Sequence, residues 1–194
     1  MSGTTIAGAA RFTPAQRALH WAMALCILAM LFIGVGMVST IRPIYLVMVA
    51  IHRPLGIAIL VLALVRLLLR WRHGAPPLPA GMPEAMKLAA RLSHYAFYAL
   101  MLALPLLGWA MLSAAGYPAT MVGGWALPPI MPRSATLHSV LWGAHHYLAL
   151  AFFALILLHF AAALYHALVR RDGVFEAMAP GGLPGHAPGR VAAE

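Results

Sequence analysis

Charge is scarce in this chain of 194 residues: Asp, Glu, Lys and Arg together make up 9% of it. A soluble domain carries roughly 25%, and so little charge cannot cover a water-facing surface. A soluble enzyme is thereby excluded, and so is a chain that is disordered throughout. Cysteine is almost absent, with Cys26 alone, which excludes a disulfide scaffold. Acids are rarer than bases, 4 against 13, giving a formal net charge of +9. That excess suggests nucleic acid at first sight. The basic residues flank apolar runs instead, so they read as membrane-topology signals and no nucleic-acid partner is expected. What is abundant is hydrophobic sequence, 63% of the chain, and the class it indicates is an integral membrane protein with one compact domain, its apolar faces turned to membrane lipid.

A membrane-spanning helix needs about 20 predominantly apolar residues. Four segments qualify, at about Gln16–Val38, Ile44–Leu69, Leu92–Ser113 and His138–Val169. The first is too long for a signal-peptide core and no A-x-A-like site closes it. Breakers separate the spans: Ala75-Pro76-Pro77-Leu78-Pro79 between the second and third, and Gly116 to Pro132, with Gly123-Gly124 and Pro128-Pro129, between the third and fourth. No internal repeat is present. The expectation is an all-α, integral membrane four-helix bundle. Residues 1–15 form an N-terminal cytoplasmic segment, 16–170 the bundle, and 171–194 a cytoplasmic tail that is disordered after about 180, where Gly and Pro dominate. Pro105 is expected to kink the third span.

Orientation follows from the bases. Arg11, Arg17, Arg66, Arg70, Arg72, Lys87, Arg91, Arg170, Arg171 and Arg190 lie on one side; Arg42, Arg53 and Arg133 lie on the other. The richer side is cytoplasmic, so both termini are expected there. The acids, Glu84, Asp172, Glu176 and Glu194, fall on the same side. The outer face thus carries positive charge without a carboxylate.

Ten histidines in such a chain are the main signal, because ionisable groups within spans are costly and mark functional sites by default. His73 and His186 lie in a loop and the tail. Alternating span direction puts His20, His94 and His159 near the inner side and His52 and His145 near the outer side. His145 and His159 are 14 residues apart, about 21 Å along a helix and on nearly the same face. His146 points about 100° away from His145. His138 and His166 lie one heptad further out at either end.

Two imidazoles from different helices, at each of two depths, suit the axial positions of two haems held between helices. No Cys-x-x-Cys-His occurs, so attachment would be non-covalent. The pairs are His52 with His145 for an outer iron and His20 with His159 for an inner iron. Zinc is a rival, although no compact tetrahedral set of ligands is evident, and a single intramembrane histidine is often no more than a satisfied polar group. Beside these pairs, Arg53 outside and Arg17 and Arg91 inside are candidates to hold haem propionates; the competing reading of each is topology and headgroup binding. Gly34, Gly36, Gly56, Gly108 and Gly143 would let a flat macrocycle approach backbone, or are simply the glycines common in membrane helices.

The ordered set of motifs resembles the bacterial cytochrome b561 family of di-haem four-helix membrane proteins. It comprises Arg17-Ala18-Leu19-His20-Trp21, then His52-Arg53-Pro54-Leu55-Gly56 with Arg66-Leu67 and Arg70, then Ser93-His94-Tyr95 with Tyr98 and Leu104-Pro105-Leu106-Leu107-Gly108-Trp109, and finally His145 to His159, Ala161-Ala162-Ala163 and His166. The likeness covers about Arg11 to Pro180. It implies two non-covalent haem b groups on His20, His52, His145 and His159, a quinone such as ubiquinone as electron partner, and location in the bacterial inner membrane. One activity in that family is superoxide oxidation coupled to ubiquinone reduction. His94 and His166 match further family histidines on the inner side, where quinone is expected. His138, His146 and the long outer loop, Ala114 to Leu137, are departures from the pattern. Three functions compete: electron transfer from superoxide or another periplasmic donor to the quinone pool, a membrane-anchor cytochrome b subunit of a dehydrogenase or hydrogenase, and a non-redox metal transporter.

Overall fold

The computed structural model describes residues 11–180; the expected tail disorder lies outside the described residues. Four long helices carry the chain: α1 (Pro14–Ser39), α2 (Ile44–His73), α3 (Glu84–Ala115) and α4 (Ala135–Leu164). All four are long and apolar enough to cross a membrane. A π-helical turn, Tyr165–Arg170, continues α4. Between α3 and α4 a two-stranded antiparallel ladder, β1 (Ala119–Thr120) with β2 (Ala126–Leu127), organises a loop for which the sequence signalled only breakers.

Local chemistry sets the ends. Thr13 and Gln16 form a reciprocal capping box at the start of α1, with Pro14 in the first turn. Ser134 accepts from the Leu137 N–H at the start of α4. Gly116, in the left-handed region at φ 77°, closes α3, and its N–H returns to the carbonyls of Leu112 and Ser113. α3 begins eight residues before the expected span, because polar turns carrying Glu84, Lys87 and Arg91 prolong the helix beyond its apolar run, with Lys87 Nζ 2.8 Å from Glu84 Oε1. Helices α2 and α3 continue through Pro54 and Pro105; each proline deprives one carbonyl, of Ala50 and Met101, of its helical N–H.

Chain neighbours pack most closely, α1 on α2, α2 on α3, and α3 on α4. Two sets of hydrogen bonds fix the ends. At one, Gln16 Nε2 donates to the Gly74 carbonyl, Arg170 to the Gly81 carbonyl, and the Phe12 N–H to the Ala177 carbonyl. At the other, the Ser134 N–H donates to the Ala114 carbonyl and Arg53 to the Pro118 carbonyl. The helices therefore run alternately up and down. One core cluster takes one residue from each helix: Met23, Ala63, Met101 and Phe152. Phe152 lies seven residues from both His145 and His159, which places this core between the two histidine levels.

Candidate functional site

A 14-residue spacing recurs on every helix. It separates His20 from Gly34 on α1, His52 from Arg66 on α2, His94 from Gly108 on α3, and His145 from His159 on α4. Two heptads return a helix to nearly the same face about 21 Å along its axis. Each helix thus offers one position to each of two levels.

At the first level the rings of His52 and His145 meet edge-on, with centroids 6.2 Å apart and planes inclined at 65°. The His145 Nδ1 lies 3.0 Å from the Leu104 carbonyl oxygen. A carbonyl only accepts, so Nδ1 carries the proton and Nε2 keeps its lone pair. That is the tautomer a metal-binding imidazole needs. Gly108 makes the geometry reachable: a Cβ there would sit 3.4 Å from His145 Cε1, so the ring rests directly on α3 backbone. The His52 Nδ1 is buried with no hydrogen-bond partner among the described residues.

At the second level His159 is central. Its ring centroid is 6.3 Å from that of His20, 6.2 Å from that of His94 and 5.0 Å from that of Phe97. Arg66, one of the basic residues on the inner side, lies within electrostatic range of His20, His94 and His159. The clue to it was its spacing from His52. Its Nε donates to the Tyr98 hydroxyl over 3.4 Å.

These separations test the fit of a haem. Two imidazoles that bind one metal from opposite sides, with bonds of about 2 Å, have ring centres roughly 6 Å apart, which is what His52–His145, His20–His159 and His94–His159 all show. No group of three or more His, Cys, Asp or Glu able to hold a metal ion occurs among the described residues, whereas a haem iron asks the protein for two ligands only.

The other histidines have distinct surroundings. His138 Nδ1 lies 3.0 Å from the Met111 carbonyl, a cross-link from α4 to α3. His146 lies parallel to Trp142, with centroids 5.4 Å apart, away from the His52–His145 pair. His166, 8% exposed, approaches both carboxylate oxygens of Asp172 through Nδ1, at 3.0 and 2.9 Å. Arg170 Nε donates to the same carboxylate over 2.8 Å. Burial alone would raise the Asp172 pKa; the hydrogen bonds from Arg170 and His166 outweigh it and hold the carboxyl below its usual range. The His166 contact arises because the π turn ends on Arg171 at φ 51°, which folds the next residues back; the sequence carried no signal for it.

Each arginine expected at a haem edge donates to a backbone carbonyl. Arg17 reaches Ala179, Arg53 reaches Pro118, and Arg91 reaches Lys87 in its own helix. At the opposite end from Arg17, a cleft of about 450 Å³ opens between α3 and α4, lined by Tyr117, Arg133, Ser134 and His138 among others.

The sequence matches the family described as prokaryotic cytochrome b561 over residues 11–181. It is 30% identical over 178 residues to the cytochrome b561 homolog 1 of Escherichia coli K12, covering 88% of this chain and 97% of that protein. The chain belongs to the prokaryotic cytochrome b561 family. A second Escherichia coli protein, cytochrome b561 homolog 2, is 28% identical over 173 residues, or 87% of this chain and 90% of the relative. A probable superoxide oxidase, CybB, of Yersinia pestis is 35% identical over 131 residues, 67% of this chain and 73% of that protein. As a cytochrome b561 family member, the chain is a multi-pass bacterial membrane protein of electron transfer that binds haem b. The all-α bundle expected from the sequence agrees with that family and with the four spanning helices.

Proposed function

We propose that the protein carries electrons across the bacterial inner membrane from superoxide on the periplasmic side to ubiquinone or another quinone. The observation that carries this reading is the pair of histidine contacts at two depths, 6.2 Å between His52 and His145 and 6.3 Å between His20 and His159. Each pair holds one non-covalent haem b, His52 and His145 the outer, His20 and His159 the inner. Bound there, the haems supply one-electron redox chemistry at both levels.

The chain's own residues do the rest. The Leu104 carbonyl fixes the His145 tautomer. With two imidazoles to hold it at each level, a bound haem would supply electron transfer rather than oxygen binding. Both termini face the cytoplasm, so residues 1–15 and 171–194 are cytoplasmic and 16–170 form the bundle. The outer face then presents Arg42, Arg53 and Arg133, with no acid beside them, and draws in a small anion. Quinone binds on the inner side near His94 and His166. The His166 Nδ1–H is committed to Asp172, leaving Nε2 as the acceptor in the neutral ring. Arg17, Arg53 and Arg91 are candidates for propionate contacts at the two ends. The balanced reaction takes two superoxide ions, one quinone and two protons to two molecules of oxygen and one quinol. Similarity to the Yersinia pestis probable superoxide oxidase supports the donor.

Stopped-flow mixing of the purified protein with superoxide tests it. Haem-band reduction well above the spontaneous background, with quinol formed when quinone is added, is the expected result. Failure to exceed the background would remove superoxide as donor and leave the anchor-subunit function, in which a partner dehydrogenase or hydrogenase delivers the electrons. A protein without any reducible b-type band would sink both.

A further inference from the structure

Arg66 is a cation in the wrong place for a topology signal. It lies inside α2, part-buried, two heptads from His52 and on nearly the same face. It shares the level of His20, His94 and His159 and acts electrostatically on all three. An arginine within a membrane span is stable only with a partner for its charge. No ion pair involving Arg66 occurs among the described residues. Of the described carboxylates, Glu84 pairs with Lys87 and Asp172 with Arg170 and His166, while Glu176 forms no ion pair with Arg66. Its hydrogen bond among the described residues, Nε to the Tyr98 hydroxyl, is long at 3.4 Å and goes to an uncharged acceptor. The forked end of the guanidinium, which suits two-point binding of a carboxylate, pairs with no acid among the described residues.

We infer that Arg66, oriented by Tyr98, binds the carboxylate of a propionate on the inner haem. The inference rests on the two-level haem reading above. It differs from the assignments of Arg17, Arg53 and Arg91, each of which already donates to a backbone carbonyl. Arg66 is set among the ligands themselves. Its charge favours the electron-rich state of whatever is bound there, so it raises the reduction potential of one haem and leaves the other nearly untouched at about 21 Å. Tyr98 is a positioning residue: it holds Nε, and so aims the remaining N–H groups.

The test is a redox titration of full-length protein in nanodiscs, paired with infrared difference spectra of protein carrying haem labelled with 13C at its propionate carboxyls. In wild type two steps are expected. Arg66→Gln should lower one step by about tenfold in its reduction equilibrium, about 59 mV for one electron, leave the other in place, and move a 13C-sensitive carboxylate band. Arg66→Lys should restore most of the potential but not the band. Tyr98→Phe should shift the same step in the same direction by less. Two unshifted steps with an unmoved band in Arg66→Gln would overturn the assignment, and so would a moving band that is insensitive to the label, since the carboxylate would then belong to something other than haem. If Arg66→Gln does not fold, Arg66→Lys decides by the band alone. A wild-type protein with a single step would bring down the two-level reading itself, before Arg66 is changed.

Discussion

Single atoms decide how an imidazole is presented. His145 is oriented by the Leu104 carbonyl and rests on Gly108, whereas His52 Nδ1 has no hydrogen-bond partner among the described residues. His145→Ala, and separately His52→Ala, should reduce bound haem from two to one per chain, read as the haem-to-protein ratio. Retention of both would break the ligand assignment. Gly108→Leu should push the His145 ring off its carbonyl and weaken haem binding at that level by about 10- to 100-fold, the usual range for disturbing a ligand's outer support, as measured by haem transfer to an apo-acceptor. The meeting of His52 with His145 and of His20 with His159 was legible in the sequence, because depth and face follow from span direction and heptad spacing. The position of Arg66 was equally encoded, 14 residues from His52, but Arg70 and Arg72 lie close behind it and drew it into the same basic cluster. The Asp172 contact was not legible, since it depends on a backbone reversal at Arg171 rather than on any periodicity.

Elements show the same division. Four spanning helices follow from apolar run length alone, and α2 starts where the sequence placed it, at Ile44. The start of α3 does not, because a helix may continue past the apolar run wherever polar turns can reach water, as Glu84 and Lys87 do. The short β1–β2 ladder was hidden for another reason: two residues per strand carry no alternation to detect. The turn after α4 is held by the His166–Asp172–Arg170 contacts. Because the folded Asp172 pKa is depressed, its contribution is complete above the unfolded carboxyl value of about 3.9 and is lost as pH falls through the lower folded value. The protection factors of amides in residues 171–179, each exchange rate referred to the intrinsic rate at that pH, should therefore fall on acidification into that range. In Asp172→Asn they should already be low near neutrality and change little with acid; equal protection in both proteins would contradict the role given to the carboxylate.

At the scale of the molecule, the histidine levels are separated by a packed layer, not by a channel. Met23 and Ala63, 2% and 0% exposed, meet Met101 and Phe152 there, and Phe152 is edge-on to Phe97 at 5.7 Å. Phe152→Ala should cost about 3–5 kcal/mol, seen as a lower melting temperature, with loosening felt at both levels because the layer touches each helix. Charge acts over the whole outer face: if Arg42, Arg53 and Arg133 steer an anion, the rate with superoxide should fall as ionic strength rises, and an unchanged rate would argue against steering. One further consequence belongs to the bond between Phe12 and Ala177 and the seating of Trp21 on Met178. Polypeptide enters and leaves the bundle through a single doorway, so complementary halves of a split fluorescent reporter joined to the two ends should reassemble within one molecule, independently of protein concentration, and should light up on one side of the membrane only.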